Sequence, residues 1–346
     1  MQLTTIEIMG GLGNQLFQIF ALLAYSLRHK SPFFFPKIGI QHGQRKTLYW
    51  ETDLLKALQV FVQAPAPNVQ FQLEPERGFE HHDLRFDSNL TRRETKHVRL
   101  FGYFQSYKYF ADHQEEIFRL IKLKETQATI KTKTEKNYHY EKTVAVHFRV
   151  GDYAQLPNHH PLMTLEYYIQ ALTQFLQAQK QAQQQAQDRA AALFETAEEA
   201  IACVESVAGT SVAGTSVASV AKWQILYFCE QNDQTYVETH LIKPLQDHPL
   251  FKDQFNFQCI DHSLADWEQL IVMSLCQHHI IANSTFSWWG AYMGGQAPFG
   301  DLSGKRGVWG VSPQHHVYYP TTWFGPAIGY KNMADLFPTH WQRINI

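Results

Sequence analysis

The stretch VAVHFRV, residues 144–150, decides the reading of this chain. Successive side chains on a strand point to opposite faces, so Val144, Val146, Phe148 and Val150 share one face, and Ala145, His147 and Arg149 share the other. The polar residues are gathered at the strand's carboxyl end. In open α/β sheets that end borders the ligand crevice, which places His147 and Arg149 where a ligand would sit. The plainer alternative is an arginine paired with a carboxylate and a histidine satisfied in the core, and this segment alone does not separate the two.

Working outward, strand and helix signals alternate. After Gly151, Asp152 and Tyr153 comes a loop, then a helix announced by Thr164 as N-cap, with Leu165, Tyr168, Ile169, Leu172, Phe175 and Leu176 at helical spacing. Toward the amino end, residues 4–9 read as a strand. A Gly10-Gly11-Leu12-Gly13 turn follows, then a helix with Leu16, Ile19, Phe20, Leu23 and Leu27 on one face. Toward the carboxyl end, residues 223–229 and 279–282 read as strands, residues 267–276 as an apolar helix, and another helix begins near Ser284 or Thr285. This alternation predicts parallel α/β layers. Residues 177–222 interrupt it: seven of the eleven residues 177–187 are Gln, and AGTSVAGTSVASVA follows. Neither piece can build a core, so the segment is expected to be a surface insertion whose first part can extend the preceding helix.

The 346 residues carry 30 Lys and Arg against 32 Asp and Glu, a net charge of −2. That near balance supplies no general field for nucleic acid. The four cysteines, Cys203, Cys229, Cys259 and Cys276, include no CxxC pair and read as reduced, mostly buried thiols. No apolar run is long enough for a membrane helix, so the chain is expected to be cytosolic, with peripheral contact at the inner membrane face left open.

Two further segments carry chemistry. In IIANSTFSWWGAY, residues 280–292, Asn283, Ser284, Thr285 and Ser287 cluster where a strand runs into a helix. Backbone N–H groups, hydroxyls and the positive end of a helix dipole converge there, which suits an anion. Simple capping explains one hydroxyl and explains three less well. Trp288 and Trp289 are expected to pack in a core. In GGLGNQ, residues 10–15, the third glycine of a dinucleotide fingerprint is replaced by Leu16 and no Walker lysine follows; what remains is a tight turn bringing N–H groups and the Asn14 and Gln15 amides to a helix start. HExxH, GxSxG, metal-type Cys/His spacings and the DxD pair that holds a divalent ion on a nucleotide sugar are all missing. The four His-His doublets point adjacent rings in different directions and make poor chelators.

GGLGNQLFQ (residues 10–18), GYFQSYKYF (102–110), VHFRVGDY (146–153) and the run from Met273 to Tyr292 together resemble glycosyltransferase family 11, the alpha-1,2-fucosyltransferases, in order and across most of the chain. The resemblance implies an α/β chain of the GT-B type, two Rossmann-like domains facing a cleft. Residues 1–138 would form an acceptor-side domain, and residues 139–346 a GDP-sugar-binding domain with the insertion at 177–222. It implies inverting transfer of L-fucose from GDP-beta-L-fucose to the 2-hydroxyl of a galactose-terminated glycan or glycolipid, with no metal and no other cofactor.

By the same resemblance, Arg149 matches the arginine that binds the beta-phosphate and His147 the residue near the nucleoside. Ser284, Thr285 and Ser287 match a block that contacts the pyrophosphate, Asn14 an amide reaching the phosphate or reaction centre, and Asp152 a residue that caps the next turn or orients Arg149. Gly11, Gly13 and Gly151 fall at the family's turns. Glu268 stands beside Gln269, where the family has an acid, and is expected to contact the donor. Cys229-Glu230-Gln231 replaces the family's Ser-Asp-Asp, and Val150 replaces a second arginine. Asp152, Glu230, Glu268 and the histidines all remain candidates for the proton acceptor. The rival readings are a silent carbohydrate- or nucleotide-binding protein on the same fold and a transferase using another GDP sugar.

Overall fold

A computed structural model describes residues 3–37, 47–64, 69–76, 97–193, 222–294, 315–329 and 331–345. Its strands are β1 (Thr4–Ile6), β2 (Phe35–Pro36), β3 (Val62–Gln63), β4 (Phe71–Pro75), β5 (His97–Phe101), β6 (Thr143–His147), β7 (Trp223–Phe228), β8 (Phe255–Cys259), β9 (His278–Ile280), β10 (Val317–Pro320) and β11 (Gln342–Ile344). The principal helices are α1 (Leu12–His29), α2 (Gln114–Leu120), α3 (Leu123–Thr134), α4 (Leu165–Leu193), α5 (Asp266–Leu275) and α6 (Thr285–Gly294). The predicted α/β layers are present as parallel sheets. β1, β5 and β4 form one sheet, and the order β11-β10-β9-β6-β7-β8 forms a six-stranded second sheet in which every pairing is parallel.

The order of the large sheet positions the site. From β6 the chain moves outward through β7 and β8, then returns to the other side of β6 for β9, β10 and β11. The direction of winding therefore reverses between β6 and β9. Connections from the carboxyl ends of two such strands leave in opposite directions and open a crevice between them. Arg149 follows β6 and Thr285 follows β9, so the two segments singled out in the sequence border that crevice.

The alternation read in residues 144–150 is seen in the packing. Val144, Val146 and Phe148 belong to one buried cluster with Tyr168, Leu172 and Phe175 of α4, while Ala145 joins the other cluster, under α1 and α6. That second cluster is continuous from Phe17 and Phe20 of α1 through Phe110 to Trp288 and Trp289 of α6. Both tryptophans are fully buried, as expected; their indole N–H groups are satisfied by the carbonyls of Leu336 and Gly13, at 2.9 and 2.8 Å.

Several element boundaries differ from the sequence reading. The strand read over residues 144–150 runs Thr143–His147, so Arg149 stands just past its end. The first strand ends at Ile6, not Met9, because the Met9 backbone turns to the side-chain amide of Gln18: its N–H donates to Oε1 at 2.8 Å and its carbonyl accepts from Nε2 at 3.1 Å. The strand before α6 ends at Ile280. The Gln-rich residues continue α4 as far as Leu193, and the AGTSV repeat lies outside the described residues. Among the described residues no helix is long and apolar enough to cross a membrane.

Beside α5 and β9, His279 is buried with its Nε2 2.9 Å from the Met273 carbonyl and its Nδ1 3.0 Å from Nε2 of His315. The carbonyl requires a proton on Nε2, so Nδ1 accepts from His315 and both rings are neutral. Burial lowers the His278 and His279 pKa to about 3 and about 4 and holds His315 well below 6.5. The unfolded chain protonates these rings below about pH 6.5 and the folded chain does not, so stability is full above that pH and falls as the solution is acidified. Each ring contributes about 1.4 kcal/mol per pH unit in that window. Urea midpoints should fall steeply between pH 7 and 5; a flat profile would contradict this.

Candidate functional site

The carboxyl ends of β6, β7 and β9 and the amino ends of α1 and α6 border a cleft of ≈ 600 Å³. Of the residues proposed from sequence, Asn14, His147, Arg149, Asp152, Ser284, Thr285, Gly11 and Gly13 line it together.

Arg149 is the best-defined element. One guanidinium nitrogen pairs with Asp152 and the other with Glu230, and the guanidinium carbon lies 4.9 Å from the centre of the Tyr153 ring. Its side chain is 13% exposed, against 43% and 45% for the two carboxylates. Burial opposes its charge, but Glu230 and Asp152 more than offset that and hold its pKa above the ordinary value. The Tyr153 hydroxyl in turn donates to the Asn283 carbonyl at 3.2 Å, tying the Arg149 platform to the approach of α6. From sequence Glu230 stands only among the candidate proton acceptors, and its pairing with Arg149 is legible from register. His147 pairs with Phe228, so two residues further along each strand Arg149 stands beside Glu230.

At the start of α6, Ser284 acts as the cap, its Oγ 3.3 Å from the Phe286 N–H. Ser287 does not face the cleft. It is fully buried and donates back to the Ala282 and Ser284 carbonyls at 3.4 and 3.2 Å, because a serine one turn into a helix bonds the preceding turn readily. Glu268 also lies outside the cleft lining. It occupies the first turn of α5, where its Oε2 accepts the Ala265 N–H at 2.9 Å while Oε1 pairs with Lys133. A carboxylate there satisfies an orphan N–H and the helix dipole, and its neighbours Asp266 and Gln269 turn to the cleft instead.

The start of α1 meets the start of α6 directly. A Cβ on Gly13 would lie 2.5 Å from the Thr285 carbonyl carbon and 2.7 Å from the Phe286 nitrogen, so only glycine permits the approach. Two helix amino termini thus converge on one wall of the cleft. Gly10 has φ +75°, and a Cβ there would meet the Asn14 amide nitrogen at 2.7 Å. The Asn14 carbonyl oxygen accepts from Gln105 Nε2 at 2.9 Å, which presents the Asn14 amide at the cleft. Gln105 comes from the aromatic stretch 101–110. That stretch is anchored by Glu76, whose carboxylate accepts the Tyr103 N–H at 2.7 Å. Gly151 takes a turn with φ +33°, and its N–H donates to Asp233 at 2.7 Å.

His147 is buried, and burial, reinforced by the charge of Arg149, lowers its pKa to about 3. Its Nδ1 has no hydrogen-bond partner among the described residues. A neutral imidazole with an unsatisfied nitrogen at a cleft wall can donate to or accept from a ligand.

This arrangement can offer an anion fixed hydrogen-bond donors. A guanidinium lies on one side of the β6/β9 junction and two helix starts lie on the other. Residues 228–299 match the family model described as Glycosyl transferase family 11. Over 369 aligned residues the chain is 24% identical to an alpha-1,2-colitosyltransferase from Escherichia coli, spanning 99% of each protein. Among solved structures, a mutant of Arabidopsis thaliana FUT1 in complex with GDP is similar with a TM-score of 0.40 and 9% identity, over 85% of this chain and 68% of that one. NodZ alpha-1,6-fucosyltransferase soaked with GDP-fucose, from Bradyrhizobium, gives a TM-score of 0.39 and 12% identity over 90% and 100%. The segment that matches the family model begins beside Glu230 and contains the whole of α6, the same wall that offers the helix N–H groups.

Proposed function

We propose that this chain transfers L-fucose from GDP-beta-L-fucose to the 2-hydroxyl of a galactoside, with inversion and without a metal. The observation that carries the reading is Arg149 at the tip of β6, across the sheet's reversal from the start of α6 and in one cleft with it. In the reaction the acceptor oxygen forms a bond to C1 of the sugar as the bond from C1 to the diphosphate breaks. The electron pair leaves with GDP, and the hydroxyl proton is lost late. Charge grows on the diphosphate as the bond lengthens. Arg149 and the helix starts are fixed donors placed for that charge, and they need no reorganisation as it develops. Asn14 lies beside the same wall and is assigned to the phosphate or the reacting centre. His147, neutral and with a free nitrogen, is assigned to the nucleoside.

Glu230 and Asp152 hold Arg149 in place and also compete with the diphosphate for it. Glu230→Gln keeps a hydrogen-bond acceptor and removes one negative charge, so GDP should bind more tightly. The expected gain is about 5-fold or less, because the carboxylate is half exposed. Calorimetric titration with GDP measures it, and weaker binding would show that Glu230 serves the donor rather than competing with it.

The relative named an alpha-1,2-colitosyltransferase favours a second reading in which the sugar is colitose, which lacks the 3-hydroxyl of fucose. A site that hydrogen-bonds that hydroxyl rejects the deoxy sugar by roughly 10⁴-fold, whereas an apolar site discriminates weakly. Incubation with GDP-fucose, GDP-colitose or GDP-mannose and lactose, without added metal, followed by mass and linkage analysis, tests the proposal. A 2-linked fucosyl product supports it. Colitosyl transfer alone would replace the donor, and GDP binding with no transfer would favour the silent binding protein.

A further inference from the structure

Beyond the transfer chemistry, we infer that Cys229, Cys259 and His262 form a binding site for a zinc-class divalent cation at the edge of the cleft. Cys229 is distant in sequence from Cys259 and His262, and the pairing of β7 with β8 brings it beside them. β7 and β8 are adjacent and parallel with Tyr227 paired to Cys259, so Cys229, two residues beyond Tyr227, projects from the same face as Cys259. The chain then turns back. The Ile260 N–H donates to the Tyr227 carbonyl at 2.9 Å and the Ser263 N–H to the Asp261 carboxylate at 2.9 Å, which returns His262 toward the two sulfurs. One ligand atom from each residue lies within 4.8 Å of the others, and Cys259 Sγ is 3.7 Å from His262 Nε2.

The donor set and spacing fit the ion. Zinc bonds thiolate sulfur at about 2.3 Å and imidazole nitrogen at about 2.0–2.1 Å in tetrahedral geometry, which separates two ligand atoms by roughly 3.5–3.8 Å. The Cys259 to His262 distance already lies in that range. Two soft sulfurs and an imidazole select zinc-like ions over magnesium or calcium, which take oxygen. Cys229 and His262 line the cleft, so the fourth coordination position is on the side that water reaches. On binding, both thiol protons pass to solvent, and two thiolates neutralise the dication. Glu230 follows Cys229 directly, so the ion would tether the segment that holds the carboxylate partner of Arg149.

The inference stands without the proposed transfer and is tested on the reduced full-length chain with no nucleotide sugar present. Titration with Co²⁺ should give a thiolate-to-cobalt charge-transfer band and tetrahedral d–d bands at one equivalent, displaced by Zn²⁺. His262→Ala, at a partly exposed position outside the core, and Cys259→Ser should each weaken Co²⁺ binding by more than the roughly 10- to 100-fold that loss of an outer-shell partner costs. Cys203→Ser should leave it unchanged. Absence of the charge-transfer band in protein whose thiols titrate as free would overturn the inference. So would a band that survives His262→Ala and Cys259→Ser, or one abolished by Cys203→Ser.

Discussion

Arg149→Ala is expected to fold and to lose transfer by at least about 10²- to 10³-fold, the usual cost of removing one fixed donor from a developing anion. The loss should fall at the high end for a reason visible in the structure. The guanidinium separates Asp152 and Glu230, and its removal leaves two carboxylates facing the diphosphate where a cation stood. Stability should change little, because both carboxylates are 43–45% exposed and remain solvated once unpaired. Arg149→Lys should recover little. A single ammonium cannot hold both carboxylates and a phosphate oxygen in one plane, and it loses the stack on Tyr153. The measurement is GDP release with donor and acceptor, with thermal melts to establish folding. A folded Arg149→Ala protein with near-parental kcat/KM would remove the basis of the proposed mechanism.

Arg149 and the start of α6 were legible in the sequence for a physical reason: side-chain alternation and helix-start chemistry are local and survive without knowledge of the partner strands. Their meeting in one cleft follows once β6 and β9 are neighbours, which alternating strand and helix signals suggest but do not order. Glu230 shows the limit. Its pairing with Arg149 depends on β7 lying beside β6 in a particular register, a non-local fact, and its residue type by itself suggests only a proton acceptor. Cys229 and Cys259 were set aside because 29 residues separate them in the sequence, yet adjacent strands close that gap. Ser287 and Glu268 erred in the opposite direction. Both are polar residues near a helix start, and at such places the helix's own unsatisfied backbone competes with any ligand for the side chain. Here the backbone won, at the Ala282 and Ser284 carbonyls and at the Ala265 N–H.

Gly13→Ala is expected to damage stability and function together, and function more. The added methyl would meet backbone atoms of Thr285 and Phe286 at 2.5–2.7 Å, and backbone in a helix's first turn cannot rotate aside as a side-chain end can. The helices α1 and α6 must therefore move apart. That motion loosens the Trp289 indole from the Gly13 carbonyl and the Phe17 ring from Trp289, whose centres are 5.0 Å apart. Overpacking of this kind costs about 1–3 kcal/mol, which a denaturant midpoint resolves. The functional loss should exceed what unfolding explains. The two helix starts act as one anion wall only while they touch, and a displacement of about 1 Å at a reacting centre can cost on the order of 10²-fold in rate. Assay at a temperature where the variant is fully folded separates the effects. The expected result is a large fall in kcat/KM with weakened GDP binding. A Gly13→Ala protein that binds GDP and turns over like the parent would mean that the wall does not contact the donor, and the anion site would then reduce to Arg149 alone.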